Sequence, residues 1–325
     1  MYDTESDAVG NTYFPTEIFK GFGKNKVAFI FSAWLTGRKN KLVLLSHINL
    51  LLVGWLIKRI SPQTKLVLLA HGIEVWGRLH WFKKWMLKSV DVFIPVSNYT
   101  AEQLYKVHGI SKTKCKVLNN CLDPYMLKKA EQDTVLMLKK KYGISPDESI
   151  LLTLTRISSK ERYKGYDRIL EAMVGLQVKH PQLRYILAGK YDALEKAYLD
   201  DLILKYGLGD RVIMPGYVPD HEWEAHFALA ALYVMPSMKE GFGIVFIEAM
   251  QYGLPVIAGN VDGSVDALLN GALGTLVNPQ NTQEIENAIN QILSNKLKYI
   301  PNRDLLTENF GYEGYKRKLG ILLSC

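Results

Sequence analysis

The sequence predicts an α/β protein with two doubly wound parallel-sheet domains, and three observations support this. The chain has 325 residues, more than one hydrophobic core usually organises, because single cores stop growing at about 250–300 residues. Short runs of Leu, Val and Ile alternate with amphipathic stretches, as in parallel sheets covered by helices on both faces. Hydrophobic residues make up 48% and charged residues 22% of the chain, which is the balance of a folded globular protein.

Each element follows from the local pattern. Strands are predicted in the first half at Leu42–Ser46, Leu66–His71, Val92–Val96 and Lys116–Leu118. In the second half they are predicted at Ile150–Thr155, Arg184–Ala188, Val212–Met214, Leu232–Met235, Pro255–Ala258 and Gly274–Val277. Helices are predicted between them, among others at Tyr166–Lys179, Leu194–Tyr206, Ile244–Tyr252 and Thr282–Ser294. The polar, Lys-rich segment Asp123–Pro146, with a helical middle, is predicted to link the domains.

The cysteines and the apolar runs bear on the compartment. Cys115, Cys121 and Cys325 are odd in number and form no C-x-x-C pair, which fits a reducing cytoplasm and predicts neither disulfides nor a zinc site. The longest apolar run, Ile48–Ile57, is about half the ~20 residues of a membrane-spanning helix, and Met1 is followed by the polar YDTESD rather than a signal peptide.

Charge is distributed unevenly along the chain. Residues 1–130 hold 19 Lys and Arg against 8 Asp and Glu, a net charge of +11, and the remainder carries −3. A basic domain indicates nucleic acid, an anionic membrane or an anionic substrate as partner. Because no nucleic-acid motif accompanies the charge, we expect no nucleic acid, and favour an anionic membrane surface or an anionic lipid-linked acceptor.

The chemistry is expected after the predicted strand that ends at Met235. Two carboxylates eight positions apart, Glu240 and Glu248, flank a glycine loop and the start of a helix in EGFGIVFIEAM. Gly241 and Gly243 let the backbone approach a ligand closely, and the N–H groups at a helix start attract anions. In isolation, a solvated helix glutamate and a turn glutamate would explain the pair equally well.

These residues resemble the retaining glycosyltransferases of glycosyltransferase family 4 (glycosyl transferases group 1), whose mark is Glu, seven residues, Glu. The resemblance implies the GT-B fold, two Rossmann-like domains facing across a cleft, with a nucleoside diphosphate sugar as donor. It implies that Glu240 binds hydroxyls of the donor sugar and that Glu248 binds the ribose diol of the nucleotide. Carboxylates suit vicinal hydroxyls because they accept two charge-assisted hydrogen bonds. The implied donor-binding residues are Glu248, Gly241, Phe242, Gly243, Ile244 and Gly216.

Further matches to the family lie elsewhere in the chain. In TRISSKERYKGYDRILEA, Arg156 and Lys164 match the cations that hold the donor diphosphate, and Lys160 and Arg162 are interpreted as solvated loop charges. Gly216, in VIMPGYVP, lies in the segment beside the nucleotide base, where backbone contacts dominate and no nucleotide is indicated. The implied catalytic residues are Arg156, Lys164, Glu240 and His71.

Two matches in the first half of the chain can also be explained without a ligand. His71, in LLAHGIEVW, corresponds to a family histidine near the transferred sugar, and the alternative is an ordinary hydrogen-bonded histidine at a strand end. His47, in LLSHINL, is the only other histidine worth a test. Ser97 is expected to cap the helix that follows it, which explains its presence without a ligand.

The resemblance runs from about Tyr2 to the segment Asn309–Leu323, a helix that in this family crosses back to the N-terminal domain. It divides the chain into residues 1–130 on the acceptor side, residues 131–308 for the nucleotide sugar, and residues 309–325 as the crossing helix. The family normally has a strand, a glycine-rich loop and a long helix before the position of MYDTES. About 40–60 residues of such an αβ unit are therefore expected to be missing, and the intact longer form is expected to be the active species.

The predicted function is transfer of a sugar, with its anomeric configuration kept, to a saccharide or lipid-linked acceptor in bacterial surface polysaccharide or lipopolysaccharide synthesis. Two alternatives stay open: a non-catalytic donor-binding subunit or remnant, and a sugar-nucleotide 2-epimerase of the same fold. The chain lacks an Asp-x-Asp metal motif and clustered metal ligands, so no metal or other cofactor is expected. Neither half has G-x-G-x-x-G after its first strand, which counts against a nicotinamide-dependent dehydrogenase.

One segment of the basic half suggests how it meets a membrane. In LHWFKKWMLKS, at positions 79–89, aromatic residues and Met alternate with lysines. On a helix they could lie in a headgroup layer, with lysines toward anionic lipid. A core-facing helix with a solvated lysine face fits this short pattern equally well. With the charge asymmetry, the pattern favours a cytoplasmic protein held peripherally on the inner face of the cell membrane.

Overall fold

The computed structural model describes residues 3–8, 12–126 and 130–324, so Met1, Tyr2 and Cys325, named above, lie outside the described residues. The chain divides into two compact units. The first comprises Met1–Pro95 and Gln103–Lys116, and the second comprises Val96–Glu102 and Val117–Cys325.

The first unit contains a parallel sheet of three strands. They are β1 Leu42–Leu45, β2 Lys65–Ala70 and β3 Val92–Pro95, hydrogen-bonded in the order β1-β2-β3. Because β2 lies in the middle, it is an apolar run, KLVLLA, and four of its six residues are buried. The predicted strand at Lys116–Leu118 is wrong. Only an isolated bridge joins Cys115 to Phe93, and Lys116 donates one backbone hydrogen bond to the Phe93 carbonyl, too little contact to extend a sheet.

The helices follow the predicted alternation. Those of the described residues are α1 Lys26–Gly37, α2 Leu51–Ile60, α3 Trp81–Leu87, α4 Asn98–His108, α5 Gln132–Lys141, α6 Tyr166–Lys179, α7 Ala193–Lys205, α8 Trp223–Leu229, α9 Ile244–Gln251, α10 Ser264–Ala267, α11 Thr282–Ser294, α12 Arg303–Phe310 and α13 Tyr312–Ser324. Ser97 caps α4 as predicted, since its Oγ accepts a hydrogen bond from the Thr100 N–H at 3.1 Å.

The second unit contains a parallel sheet of six strands. They are β4 Ser149–Leu154, β5 Leu183–Ala188, β6 Val212–Gly216, β7 Leu232–Met235, β8 Val256–Gly259 and β9 Thr275–Val277. Their order is β6-β5-β4-β7-β8-β9, so the chain winds outward from β4 in one direction and from β7 in the other. Two parallel α/β sheets confirm the predicted fold class. In such a sheet, ligands bind at the carboxyl ends of the two strands where the order reverses, which here are β4 and β7.

Both faces of this sheet are covered. One buried cluster includes Phe246, Ile247 and Phe310, and the other includes Tyr166, Met173 and Ile289. All four residues of β7 and of β8 are buried, which explains why these strands are continuous apolar runs without polar alternation. The sheet is therefore a rigid platform for the loops at its carboxyl edge.

The segment predicted as a linker packs on the second unit. Its helical middle is α5, whose Val135 and Leu138 are buried in a cluster with Ala225 of α8. Residues 127–129 of this segment lie outside the described part of the chain. The described part of the segment therefore belongs to the second unit, because its apolar face is covered there.

The C-terminal segment predicted as a helix at Asn309–Leu323 is mostly α13, and its first two residues end the preceding helix, α12. Helix α12 ends at Phe310, and α13 begins at Tyr312 after Gly311. The Phe310 ring is buried against Phe242, with ring centroids 5.5 Å apart. A crossing to the N-terminal domain stays a prediction. Among the described residues, no helix combines the length and the apolar character needed to cross a membrane.

A pair of leucines on α7 tests this packing. Leu199 is fully buried, whereas Leu204 on the same helix is 82% exposed. We expect Leu199→Ala to lower the free energy of unfolding by about 2–5 kcal/mol, because it leaves a cavity. Leu204→Ala should change it by less than about 0.5 kcal/mol. Guanidinium unfolding followed by circular dichroism measures both, and equal effects would contradict the assigned face of α7.

Candidate functional site

The candidate site lies at the carboxyl edge of the six-stranded sheet. Two loops leave this edge from the strands where the order reverses: residues 155–165 follow β4, and residues 236–243 follow β7. We call them the β4 loop and the β7 loop. They are joined by a backbone hydrogen bond, since the Met238 N–H donates to the Tyr163 carbonyl at 2.8 Å. The predicted site residues Arg156, Lys164 and Glu240 are therefore on adjacent loops.

Lys164 and Glu240 form an ion pair between the two loops. The Lys164 Nζ donates to Glu240 Oε1, and each side chain is only 14% exposed. Such close approach requires glycine at position 165, where φ is +79° and a Cβ would lie 2.4 Å from the Pro236 carbonyl oxygen. The Lys-Gly pair recognised in the sequence thus has a geometric reason, because Gly165 lets the loop that carries Lys164 touch the β7 loop.

Arg156 lies at the start of the β4 loop. Its guanidinium forms an ion pair with Glu161, and its Nε donates to Glu161 Oε2 at 2.9 Å. The Arg156 side chain is 74% exposed, so the cation is accessible to an anionic ligand. Tyr163 lies close to this pair and to Glu240. Burial, and then the nearby carboxylates of Glu161 and Glu240, raise the pKa of Tyr163 to about 12.

Arg162 is 44% exposed, as a solvated loop charge would be, but it also forms an ion pair that the sequence did not predict. Its Nε donates to Glu195 Oε2 at 2.8 Å, and its guanidinium lies 3.8 Å from the centroid of the Tyr198 ring. Glu195 is fully buried and also accepts a hydrogen bond from the Tyr166 hydroxyl at 2.8 Å. Because a buried carboxylate needs a charged partner, Arg162 anchors the β4 loop to α7. Lys160 is exposed, as expected.

The start of α9 has the predicted glycine geometry. Gly243 has a φ of +83°, and no side chain of the described residues caps the first turn at this position. The Phe246 N–H of this turn donates to the Gly243 carbonyl at 3.0 Å, and the N–H groups before it, at the positive end of the helix, are suited to an anion. Phe242 is buried against Phe310, so it can meet a ligand only through its backbone, whereas Ile244 is 43% exposed and Gly241 is half-buried.

Glu248 lies in the second turn of α9 and is half-buried. Burial, and then the carboxylates of Asp123 and Glu224, raise the pKa of Glu248 to about 7 from its ordinary value of 4.5. A carboxylate held in such surroundings is a common feature of binding sites, where a ligand compensates its charge. The structure therefore brings Lys164 and Glu240 into contact and places Glu248 further along α9.

A cavity of about 290 Å³ opens beside Arg156. Its lining is largely apolar and comes from Leu154, Thr155, Arg156, Gly189, Lys190, Tyr217, Val218 and Trp223. Gly216, the predicted base-side residue, precedes Tyr217 and has a φ of +81°, which turns the chain at the end of β6. The cavity offers apolar and aromatic surfaces to a flat ring, with cations at its rim.

His71 lies in the first unit, at the end of β2. Its Nε2 hydrogen-bonds to the Ser46 carbonyl at 2.7 Å, and its backbone N–H donates to Glu74 Oε1 at 2.6 Å. Because a carbonyl only accepts, Nε2 carries the proton and Nδ1 is the basic nitrogen of the neutral ring. His47 caps the turn after β1, where its Nδ1 accepts from the Asn49 N–H at 3.1 Å. Strand-end hydrogen bonding thus accounts for the position of both rings.

Two aspartates contribute to the site without having been predicted. Asp192 accepts hydrogen bonds from the Ser158 hydroxyl and the Ser159 N–H, both at 2.9 Å, and caps α7. Asp262, only 1% exposed, accepts from the Ser237 hydroxyl at 2.6 Å and from the Glu240 N–H at 2.7 Å. The available signal was an Asp three or four residues after a strand, Asp262 after β8 and Asp192 after β5, where side chains reach neighbouring loops.

No three His, Cys, Asp or Glu side chains cluster to hold a metal ion within the described ranges of the chain. Metal independence stays a prediction, because a nucleoside diphosphate can itself bring ligands to a cation.

Two protein families match the sequence. Residues 137–317 match the family described as glycosyl transferases group 1, and residues 4–125 match glycosyltransferase family 4. An uncharacterized glycosyltransferase of Methanocaldococcus jannaschii is 27% identical over 62% of this chain and 50% of its own length. The GDP-mannose-dependent alpha-(1-6)-phosphatidylinositol monomannoside mannosyltransferase of Mycolicibacterium smegmatis is 26% identical over 85% of this chain and 74% of its own length. The chain thus spans about half of the first relative and three quarters of the second.

Solved structures share the fold. HepE of Anabaena, solved in complex with UDP, superposes with a TM-score of 0.79 at 22% identity, over 91% of this chain and 82% of that chain. A glycosyltransferase of Rickettsia africae superposes with a TM-score of 0.75 at 20% identity, over 94% of this chain and 83% of that chain. At these identities the likeness shows the fold alone.

The raised pKa of Glu248 predicts a pH dependence of stability. The folded protein holds this proton more tightly than the unfolded chain, so the stabilisation is fully present below about pH 4.5 and is lost as the pH rises through about 7. We expect Glu248→Gln, which stays neutral, to melt about 2–4 °C above the wild type at pH 8 and close to it at pH 4.5. Melting temperatures across this range measure the difference, and parallel profiles would contradict the assignment.

Proposed function

The chain belongs to the glycosyl transferases group 1, a family with the GT-B fold, and on that premise we propose that it transfers a sugar from a nucleoside diphosphate sugar to a hydroxyl group, with the anomeric configuration kept. The observation that carries the proposal is the ion pair of Lys164 and Glu240 at the carboxyl edge of β4 and β7. A cation for phosphate and a carboxylate for sugar hydroxyls meet where an α/β sheet binds its ligand.

The diphosphate is proposed to lie between the β4 loop and the start of α9. Lys164 supplies one positive charge, the exposed Arg156 supplies a second, and the first N–H groups of α9 supply a positive helix end. Charge develops on the leaving diphosphate as the sugar departs, so fixed cations in a shielded place lower the barrier. Arrival of the donor would exchange the Lys164–Glu240 contact for one from Lys164 to phosphate and one from Glu240 to the sugar.

The nucleoside is proposed to lie on the other side of the diphosphate. The cavity beside Arg156, with Tyr217 and Trp223 in its wall, accepts the base, and the backbone near Gly216 turns along it. Glu248 accepts hydrogen bonds from the ribose diol. Since its pKa is about 7, the carboxylate form that this role needs becomes dominant only above neutral pH in the free protein, and two hydroxyl donors would favour that form on binding.

The proposed reaction needs no nucleophile from the protein. The bond between the anomeric carbon and the phosphate oxygen breaks, the acceptor oxygen bonds to the same face of that carbon, and the acceptor proton passes to the released diphosphate. Arg156, Lys164 and the α9 start hold the departing group, and Glu240 orients the sugar. A catalytic role for His71 is proposed on the family resemblance alone.

The acceptor is proposed to be a saccharide or a lipid-linked saccharide of bacterial surface polysaccharide or lipopolysaccharide synthesis. Support comes from relatives: the mycobacterial protein above is named for a phosphatidylinositol monomannoside, and a Rhizobium leguminosarum relative, 31% identical over 39% of this chain, is named a lipopolysaccharide core biosynthesis mannosyltransferase. The charge of +11 on residues 1–130 suits an anionic acceptor or the membrane that holds it.

A surface of the first unit supports peripheral attachment to an anionic membrane. Trp81, Phe82 and Trp85 of α3 are 72%, 37% and 41% exposed, while Met86 and Leu87 of the same helix are buried. The Phe82 and Trp85 rings stack with centroids 5.8 Å apart, and α3 also carries Lys83 and Lys84. Exposed aromatic rings beside lysines are suited to a headgroup layer with anionic lipid.

Lys164→Ala tests the proposed reaction. We expect kcat to fall at least about 100-fold, because a fixed cation beside the leaving diphosphate is removed. The melting temperature should fall as well, because the largely buried Glu240 loses its partner, so turnover is compared at a temperature at which both proteins stay folded. Release of nucleoside diphosphate from UDP-glucose or GDP-mannose, with a cell-derived acceptor fraction, measures turnover. The matched control is Lys160→Ala, an exposed lysine of the same loop, which should retain activity.

The same assay separates the rival functions. Full activity of Lys164→Ala would remove Lys164 from the mechanism. Release of nucleoside diphosphate without any acceptor would favour a 2-epimerase. A rise in melting temperature with nucleotide sugar, but no turnover with any acceptor fraction, would favour a donor-binding subunit.

Removal of the aromatic rings tests membrane attachment. We expect Trp81→Ala with Phe82→Ala to weaken binding to vesicles that contain phosphatidylglycerol about tenfold or more, because apolar surface no longer enters the bilayer. Leu297→Ala, which removes an 81% exposed apolar side chain of the second unit, is the control. Vesicle flotation measures the bound fraction, and wild-type binding that is equal on neutral and anionic vesicles, or absent from both, would contradict the proposal.

A further inference from the structure

Asp262 is a buried carboxylate in the loop after β8. It is 1% exposed, and both of its oxygens accept hydrogen bonds. Its Oδ2 accepts from the Ser237 hydroxyl at 2.6 Å and from the Glu240 N–H at 2.7 Å, and its Oδ1 accepts from the Ser264 N–H at 2.9 Å. Of the residues that donate to it, Ser237 and Glu240 belong to the β7 loop. This carboxylate therefore ties the loop after β8 to the β7 loop.

The next residue completes the attachment of Glu240. The Gly263 N–H donates to the Glu240 carbonyl at 2.8 Å, so Asp262 and Gly263 hold both the N–H and the carbonyl of Glu240. A Cβ at Gly263 would lie 2.1 Å from the Gly241 carbonyl oxygen, which shows how closely the two loops pack. The backbone at Glu240 is thus fixed from one side, and its side chain is directed to Lys164 on the other.

We propose that Asp262 is the positioning residue of Glu240: it holds the backbone of Glu240 in place so that its carboxylate meets the sugar of the donor. The proposal rests on the proposed function. Asp262 acts through Glu240, so its effect is confined to ligands that carry the sugar. A nucleoside diphosphate lacks the transferred sugar, so its affinity depends little on the position of the Glu240 carboxylate.

The amide of Asp262→Asn disrupts this arrangement with little change in volume. An amide has one accepting oxygen and one donating NH₂ group, whereas the three partners of Asp262 all donate to it. In either orientation, at least one partner therefore faces a donor. With the amide nitrogen at the Oδ2 position, the Glu240 N–H loses its acceptor. With the nitrogen at the Oδ1 position, Ser264 loses its acceptor and releases the adjacent Gly263, whose N–H holds the Glu240 carbonyl, so the anchoring of Glu240 is weakened in both cases. We expect the affinity for the sugar nucleotide to fall about tenfold, as for one charge-assisted hydrogen bond, and that for the nucleoside diphosphate to change less than about twofold.

Calorimetric titration with UDP and UDP-glucose, or with GDP and GDP-mannose if the wild type prefers those, provides the test. Asp262→Asn and Glu240→Ala are measured singly and together. We expect Glu240→Ala to reduce sugar-nucleotide affinity selectively, and Asp262→Asn to add little in the Glu240→Ala background, because both changes remove the same interaction. Additive effects, or an equal loss for nucleotide and sugar nucleotide with Asp262→Asn, would overturn the proposal.

Two further variants control for folding. Glu222→Gln changes another largely buried carboxylate of the second unit, one that pairs with Lys141 at 3.3 Å, and should leave the ratio of the two affinities unchanged. If Asp262→Asn does not fold, Ser237→Ala removes one donor to Asp262 and keeps the carboxylate. We expect it to cause a smaller loss in the same selective direction, and no selective loss would overturn the proposal.

The measured affinities separate the proposed donor site from the positioning role of Asp262. If the wild type binds none of the four probes, or if Glu240→Ala leaves the ratio of affinities unchanged, the proposed donor site is wrong, and the role of Asp262 falls with it. Glu240→Ala could lower the affinity for the sugar nucleotide relative to that for the nucleoside diphosphate while Asp262→Asn does not. In that case the donor site stands, and only the positioning role of Asp262 is wrong.

Discussion

The arrangement of the second unit depends on one electrostatic contact, the ion pair of Lys164 and Glu240. Both side chains are largely removed from solvent, so each charge would be costly without the other. The pair exists because β4 and β7 are neighbours in the sheet although they are far apart in sequence, and because Gly165 allows the two loops to touch. A ligand with an anionic group and hydroxyl groups can satisfy both charges at once, which makes the contact exchangeable rather than permanent.

The remaining charges of this edge serve two different purposes. The charges of Arg156 and Glu248 are not fully compensated within the protein. Arg156 is 74% exposed, and burial raises the pKa of Glu248 to about 7. Arg162, Glu195, Asp192 and Asp262 are satisfied internally and fix the loops. The first two residues are suited to bind a ligand, and the other four hold the loops in position. This division explains why so many ionisable groups lie within a few residues of β4, β5, β7 and β8.

Much of this organisation could be predicted from the sequence, because it follows from apolar runs and motifs that are local in the chain. Helices α6 and α11 and strand β7 have the predicted bounds. The Glu240–Glu248 spacing and the Lys164-Gly165 pair marked the site. The anchoring role of Arg162 could not be predicted, because its partner Glu195 lies 33 positions away, on α7. The failed strand at Lys116–Leu118 has the same cause: its apolar character is local, but strand pairing depends on a neighbour with free backbone groups, and only one bridge forms.

The two aspartates behind the loops have a consequence for how such a protein can diversify. Asp192 and Asp262 secure the loop backbones from within, through groups placed away from the tips. Exposed tip positions such as Lys160 are therefore free to accept new side chains while the loop path stays constant. Single exchanges at those tips could then accumulate during evolution, with no need to rebuild the scaffold beneath.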